Sequence, residues 1–216
     1  MKSGIGKTIR TVDRLLEKEY GLPKPWQEDP LDSLIGTVLS QNTSDVNSNR
    51  AYDAMRDAFP AWEDVMLAPR RALEKALRPG GLARTKAARI QRTLRAIAKQ
   101  GPLNLDYLCG LSDAEAEGAL LAFDGVGLKT ARCVLLFALG RDVFPVDTHI
   151  LRIFQRLGII GEGMSATGAH AYLPPFIPKG RCLALHINVI THGRRVCHAR
   201  TPECHRCVLS GLCNEA

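Results

Sequence analysis

Apolar residues recur along the chain at i, i+3 and i+4, the spacing of one helix face, while the strict alternation of a half-buried strand is scarce. The pattern predicts an all-α protein. Ile9, Val12, Leu15 and Leu16 mark a first helix that stops near Gly21-Leu-Pro23, and Pro23 to Pro30 reads as a crossing connection. Leu31 to Leu39 is apolar enough to be a buried helix. Further helices are predicted over Val46 to Ala58, Trp62 to Leu67, Arg70 to Leu77, Thr85 to Lys99, Ser112 to Leu121, Leu128 to Leu139, Thr148 to Leu157 and Arg181 to His192. Two stretches interrupt the helical pattern, Phe123-Asp-Gly-Val-Gly-Leu-Lys129 and Phe144-Pro-Val-Asp-Thr-His149. Both lie between strong helices, where functional loops concentrate.

Composition narrows the class. With 216 residues, 45% hydrophobic and 24% charged, the chain is long enough to bury a core and has the balance of a soluble globular protein. Met1 to Arg10 contains basic residues but no apolar h-region, and no window holds about eighteen consecutive apolar residues. A cytoplasmic protein with no membrane segment is expected, working as a monomer. Lys and Arg outnumber Asp and Glu by 29 to 22, which gives a net charge of +7 and favours a polyanionic partner. That signal is weak until the charge is located.

Seven cysteines are an odd number, and without a secretory signal a disulfide framework is not expected. Four of them are spaced Cys197-x6-Cys204-x2-Cys207-x5-Cys213. Thiolate sulfur is the ligand that iron–sulfur clusters and structural zinc both select. Zinc sites usually pair two C-x2-4-C knuckles across a longer loop, whereas here one such pair is flanked by two isolated cysteines. The spacing favours a [4Fe–4S] cluster. Cys109, Cys133 and Cys182 lie in or beside apolar helices and read as buried core thiols. Around the four-cysteine loop stand Arg194, Arg195, His198, Arg200, His205 and Arg206. These cations either meet phosphates or balance the charge of an anionic cluster.

Helix, tight turn and helix follow one another from Ser112 to Leu139. Gly125 and Gly127 permit backbone angles that side chains forbid, and the N–H groups opening the second helix form an anion site suited to a DNA phosphate. Lys129 falls on the first turn of that helix, an unfavourable place for an ammonium. A neutral lysine amine is a nucleophile that forms Schiff bases with sugar carbonyl carbons; the plainer alternative is a phosphate contact. Asp147 is positioned to cap the helix begun by Thr148, and a capped carboxylate stays available to support positive charge on a sugar. His149 reads as a structural histidine in the same first turn. Gly4-Ile-Gly-Lys-Thr8 lacks the earlier glycine that a phosphate-binding Walker loop requires, so ATP binding is not expected.

Taken together, these residues resemble the endonuclease III family of helix–hairpin–helix DNA glycosylases over nearly the whole chain. The elements that carry the likeness are Leu39-Ser-Gln-Asn-Thr-Ser-Asp45, Gly81-Leu-Ala-Arg-Thr-Lys86, Gly125-Val-Gly-Leu-Lys-Thr-Ala131, Val146-Asp-Thr-His149, His192-Gly-Arg194 and the four-cysteine loop. The resemblance implies a two-lobed fold: a helical barrel over residues 28–136, with the hairpin motif at about 112–139, and a cluster lobe made of 1–27 and 137–216. It implies base-excision repair on double-stranded DNA with a damaged base or abasic site, oxidised pyrimidines being the expected lesions. Lys129 would attack the sugar C1′ and cleave the strand by β-elimination, assisted by Asp147. Gln41, Asn42, Leu82, Gly125, Val126, Gly127, Thr130, Arg194, Arg195 and Arg200 would contact DNA. Leu82 would act as an apolar wedge beside an extruded base, although a core leucine capping a helix is the alternative.

Two residues depart from the family pattern. Asp124 stands where proline usually precedes Gly-Val-Gly, which places a negative charge beside the phosphate site and is expected to weaken binding. Asn42 replaces a longer glutamine. Two other readings compete with the lyase: a monofunctional mismatch glycosylase, whose known relatives lack the lysine and extend beyond the cluster loop, and a non-catalytic DNA-binding protein that keeps the cluster and hairpin.

Overall fold

The computed structural model describes residues 2–24 and 28–215, and among them there are eleven α-helices, short 3-10 turns and no strand. The connection predicted over residues 23–30 falls in part on residues 25–27, which lie outside the described residues. The chain divides into two compact units, Gln27–Leu139 and Met1–Trp26 with Gly140–Ala216.

In the first unit α2 (Pro30–Ser40) is the central element, packed against α3 (Asp45–Ala58), α6 (Ala83–Ala98) and α8 (Leu128–Phe137). Its apolar run explains the position: Leu31, Leu34, Ile35, Val38 and Leu39 are all buried, each worth roughly 1.5–3 kcal/mol relative to exposure. Its start is set by Asp29, whose carboxylate accepts from the amides of Leu31 at 2.8 Å and Asp32 at 3.0 Å, with Pro30 in the first helical position. Between α3 and α6 run α4 (Trp62–Leu67) and α5 (Arg70–Ala76), both packed on α6. Buried Gln91 joins them: its Nε2 donates to the carbonyls of Val65 at 3.1 Å and Ala68 at 2.8 Å, and its Oε1 accepts from Arg70 at 2.9 Å. That satisfies an amide that would otherwise be costly to bury. α7 (Asp113–Leu121) opens with a reciprocal capping box between Ser112 and Glu115 and packs on α8.

The second unit contains α1 (Lys2–Tyr20), α9 (Thr148–Arg156), α10 (Ala166–Tyr172) and α11 (Cys182–Arg195). α1 and α9 both pack on α11. Ile9, Val12 and Leu16 of α1 are fully buried, and Arg181 grips the same helix through Asp13, at 2.6 and 3.0 Å, and Glu17. Asn188 donates to the Gly21 carbonyl at 3.0 Å and so fixes the end of α1.

The structure corrects three expectations. Cys133 and Cys182 are buried, but Cys109 is exposed. It sits in the 3-10 turn Asp106–Gly110 one residue after buried Leu108, and about three residues per turn swing the next side chain outward. α10 has no counterpart among the predicted helices. α8 ends at Phe137 rather than Leu139, ahead of Gly140 in a left-handed conformation (φ 63°).

Candidate nucleic-acid interface, catalytic residues and cluster loop

The hairpin between α7 and α8 turns at Gly125, whose φ of 76° is left-handed. Phe123 and Val126 are buried beneath it, so the turn offers its backbone rather than its side chains. The first intrahelical bond of α8 runs from the Ala131 amide to the Gly127 carbonyl at 3.0 Å. The amides of Leu128, Lys129 and Thr130 therefore precede the helical ladder, and Gly127 brings no side chain to cap them. This leaves an anion-binding helix start. Lys129 is half-buried on that first turn. The hydroxyl of Thr130 is buried and accepts from Gln41 Nε2 at 3.3 Å, so toward a phosphate Thr130 offers its amide.

Two arginines that the sequence reading missed complete this region. Arg89 donates to Gln41 Oε1 at 2.6 Å, which sets Gln41 between Arg89 and Thr130 and orients its amide. The same guanidinium covers Gly125. Arg92, three residues on, pairs with Asp124 at 2.6 Å. The negative charge expected beside the phosphate site thus has a guanidinium partner. Arg89 and Arg92, three residues apart, share one face of α6. That spacing was the available signal. Leu82 is 57% exposed with φ 49°, and Asn42 is exposed with φ 54°. Leu82 is therefore not a core residue.

In the second unit Asp147 caps α9: its Oδ1 accepts from the Ile150 amide at 2.8 Å. His149 is packed in the first turn, where its Nδ1 accepts from Arg152 at 3.0 Å. Burial, reinforced by Arg152 and Arg194, outweighs the nearby Asp147 carboxylate and lowers the imidazole pKa. Gly193 is required opposite it, because a Cβ there would lie 2.6 Å from His149 Nδ1.

Cys197, Cys204, Cys207 and Cys213 line one concavity with Arg156, Val196, Pro202, Glu203 and Glu215. Burial and the neighbouring Cys197, Cys213 and Cys204 push the Cys207 thiol above its ordinary pKa, as expected where four thiols share a site. Among the described residues no three His, Cys, Asp or Glu side chains are gathered closely enough to hold a single metal ion. Four cysteine thiolates are soft donors of the kind that an iron–sulfur cluster takes. The surroundings also suit an anionic group. Arg156 donates to Cys197 Sγ at 3.2 Å and to the carbonyls of His198 at 2.8 Å and Ala199 at 3.1 Å. Arg152 donates to the Cys197 carbonyl at 2.8 Å. His192, held neutral by burial with a pKa of about 4, lies between Tyr20, whose hydroxyl is 2.9 Å from Nδ1, and Cys207 Sγ, 3.3 Å from Nε2. Sequence reading placed the cationic role on the loop. It is shared instead with α9, whose Arg152 and Arg156 stand four residues apart on one face. Of the loop cations, His198 and Arg206 engage Glu203 at 3.1 and 2.6 Å, Arg195 stacks over Tyr20 at 5.8 Å, and Arg194 and Arg200 are exposed.

Residues 35–173 match the HhH-GPD superfamily of base excision DNA repair proteins, and residues 197–213 match the iron-sulfur binding domain of endonuclease III. The chain belongs to the endonuclease III family. An Arabidopsis thaliana protein named "Putative DNA glycosylase" is 40% identical over 178 residues, covering 82% of this chain and 61% of that one. Endonuclease III of Sulfolobus acidocaldarius is 30% identical over 84% of this chain and 80% of its own length. That of Escherichia coli is 29% identical over 96% and 94%. A solved non-covalent endonuclease III–DNA complex superposes with a TM-score of 0.84 at 29% identity, covering 97% of this chain and 95% of that one. As an endonuclease III family member, the chain is a base-excision DNA repair enzyme with a [4Fe–4S] cluster.

Proposed function

We propose that Lys129 is the nucleophile and Asp147 its carboxylate partner in a DNA glycosylase with AP lyase activity that acts on double-stranded DNA. Oxidised pyrimidines are the proposed lesions, and the cytoplasm the proposed compartment; no helix among the described residues is long and apolar enough to cross a membrane. One observation carries the reading: Lys129 stands on the first turn of α8, beside the uncapped amides that follow the Gly125 turn. A phosphate bound to those amides would bring a sugar within reach of the amine.

In the proposed reaction Lys129 Nζ attacks C1′ as the glycosidic bond breaks. The bonding pair leaves with the base, which takes up a proton. The attached amine then gives up one proton, O4′ takes one up as the sugar ring opens to leave an iminium at C1′, and removal of a C2′ proton expels the 3′-phosphate with its bonding pair. The Asp147 carboxylate stabilises the positive charge that develops at C1′. Gly125, Val126, Gly127 and Thr130 would hold the backbone through their main chain. Gln41, Asn42 and Leu82 would meet the bases, and Arg194, Arg195 and Arg200 would meet phosphates of the same duplex. A cluster bound by Cys197, Cys204, Cys207 and Cys213 would cross-link the C-terminal loop.

Borohydride trapping on a duplex with one abasic site tests this reading. The wild-type protein should give a covalent complex, and K129Q should give none while still binding the duplex. Unaltered strand cleavage by K129Q would remove the lysine from the mechanism.

A further inference from the structure

Asn42 and Leu82 are the two non-glycine residues with left-handed backbone among the described residues. Asparagine visits that region readily, but leucine does so rarely, so Leu82 must be held there by its surroundings. Asn42 lies two residues past α2, and Leu82 immediately precedes α6.

Lys86 joins the two. Its side chain is buried, at 3% exposure, and its ammonium donates to the Leu39 carbonyl at 2.7 Å and the Gly80 carbonyl at 2.8 Å. Leu39 is in the last turn of α2, three residues before Asn42. Gly80 closes a 3-10 turn, two residues before Leu82. The Leu39 carbonyl is among those that a helix C-terminus leaves without an intrahelical donor, and a cation is favoured at that end of the dipole. Gly80 fits because it lacks a side chain: a Cβ there would lie 2.9 Å from the Ala51 Cβ. A single buried charge therefore clamps the bases of two loops that each present an exposed left-handed residue. Burial also lowers the Lys86 pKa, in keeping with an ammonium whose hydration has been replaced by carbonyl partners.

We infer that Lys86 is a positioning residue for base extrusion, coupling Leu82 to Asn42 so that the two enter the duplex as one rigid pair. This rests on the proposal that those two residues fill the space left by the flipped nucleotide. Lys86 acts through the loops and does not itself meet DNA.

The test is a double-mutant cycle on cluster-loaded protein. The duplex would carry a stable abasic-site analogue with 2-aminopurine opposite, so that fluorescence reports loss of stacking while anisotropy reports binding. L82A and K86M should each lower the fluorescence change by about fivefold or more, and K86M/L82A should fall no further than L82A, since coupled residues are non-additive. Should K86M not fold, K86Q, which keeps a donor for one carbonyl, takes its place in the cycle. A wild-type signal from L82A and N42A would overturn the space-filling reading itself. With L82A impaired, a wild-type signal from the Lys86 variant would overturn the inference. Losses that simply add would do so too, because they would make Lys86 a general stabiliser.

Discussion

Arg89 lies so close over Gly125 that a Cβ on the glycine would come within 2.0 Å of the Arg89 Nε. The turn is thus constrained twice, by a left-handed φ of 76° and by the guanidinium above it. Alanine at this position costs about 1–2 kcal/mol in backbone strain before Arg89 has moved at all. G125A should therefore melt a few degrees lower and bind an abasic-site duplex at least about tenfold more weakly, because the helix-start amides lose their alignment. Anisotropy titrations at fixed salt would measure this. Unchanged affinity would mean that the hairpin backbone is not the phosphate site.

Asp124 and Arg92 make a contrasting prediction. Their side chains are 61% and 58% exposed, so their 2.6 Å contact contributes little stability, within about 1 kcal/mol. D124N should leave the melting temperature nearly unchanged. It frees Arg92 beside the hairpin and removes a negative charge, so affinity for duplex DNA should rise a few-fold and the slope of log K against log salt should steepen by up to about 0.9 for one added phosphate contact. Binding titrations across salt concentrations would show it, and an unchanged slope would place Arg92 away from the phosphates.

How far the sequence was legible depended on whether a residue's role could be read from its neighbours in the chain. In α2 the apolar residues Leu31, Leu34, Ile35, Val38 and Leu39 recur on one helix face, and that face is the one buried. Asp147 announces a cap because the chain changes from extended Pro-Val to helix at that point, and the four cysteines announce themselves by type and spacing. α10 was hidden because Ala166–Tyr172 is rich in small residues and carries Gly168. It is held by the Ser165 cap and by His170, whose Nε2 accepts from the Val146 amide at 2.9 Å. Arg89, Arg156 and Lys86 were hidden for another reason. A cation on an amphipathic helix looks like part of a solvated face, and partners 41, 47 or 48 positions away in sequence reveal otherwise only after folding.

Arg156 is the most instructive of these for the cluster loop. It makes hydrogen bonds to Cys197 Sγ, His198 and Ala199 and pairs with Glu215 at 2.9 Å. Methionine preserves much of the stem and removes every donor. R156M should purify with a lower ratio of absorbance near roughly 400 nm to that of the protein, the region of thiolate-to-iron absorption, and lose colour faster in a chelator. Iron analysis would distinguish incomplete loading from bleaching. Full loading and wild-type lability would show that the loop closes without help from α9.

Asp147 is the residue for which structure and chemistry are most easily confused, since the carboxylate that would support the reaction also caps α9 through the Ile150 amide at 2.8 Å. Two substitutions separate the roles. Asparagine caps helices about as well as aspartate, so D147N should keep its stability to within about 0.5 kcal/mol, whereas D147A should lose about 1 kcal/mol. Removing the charge takes away the stabilisation of developing positive charge at C1′, so excision by D147N should slow by about a hundredfold or more. Single-turnover excision rates and thermal melts on both variants would decide it. If D147N excises at the wild-type rate while D147A is slow and less stable, the carboxylate is a cap alone and Lys129 works without it. If both are slow and only D147A is destabilised, the charge belongs to the chemistry.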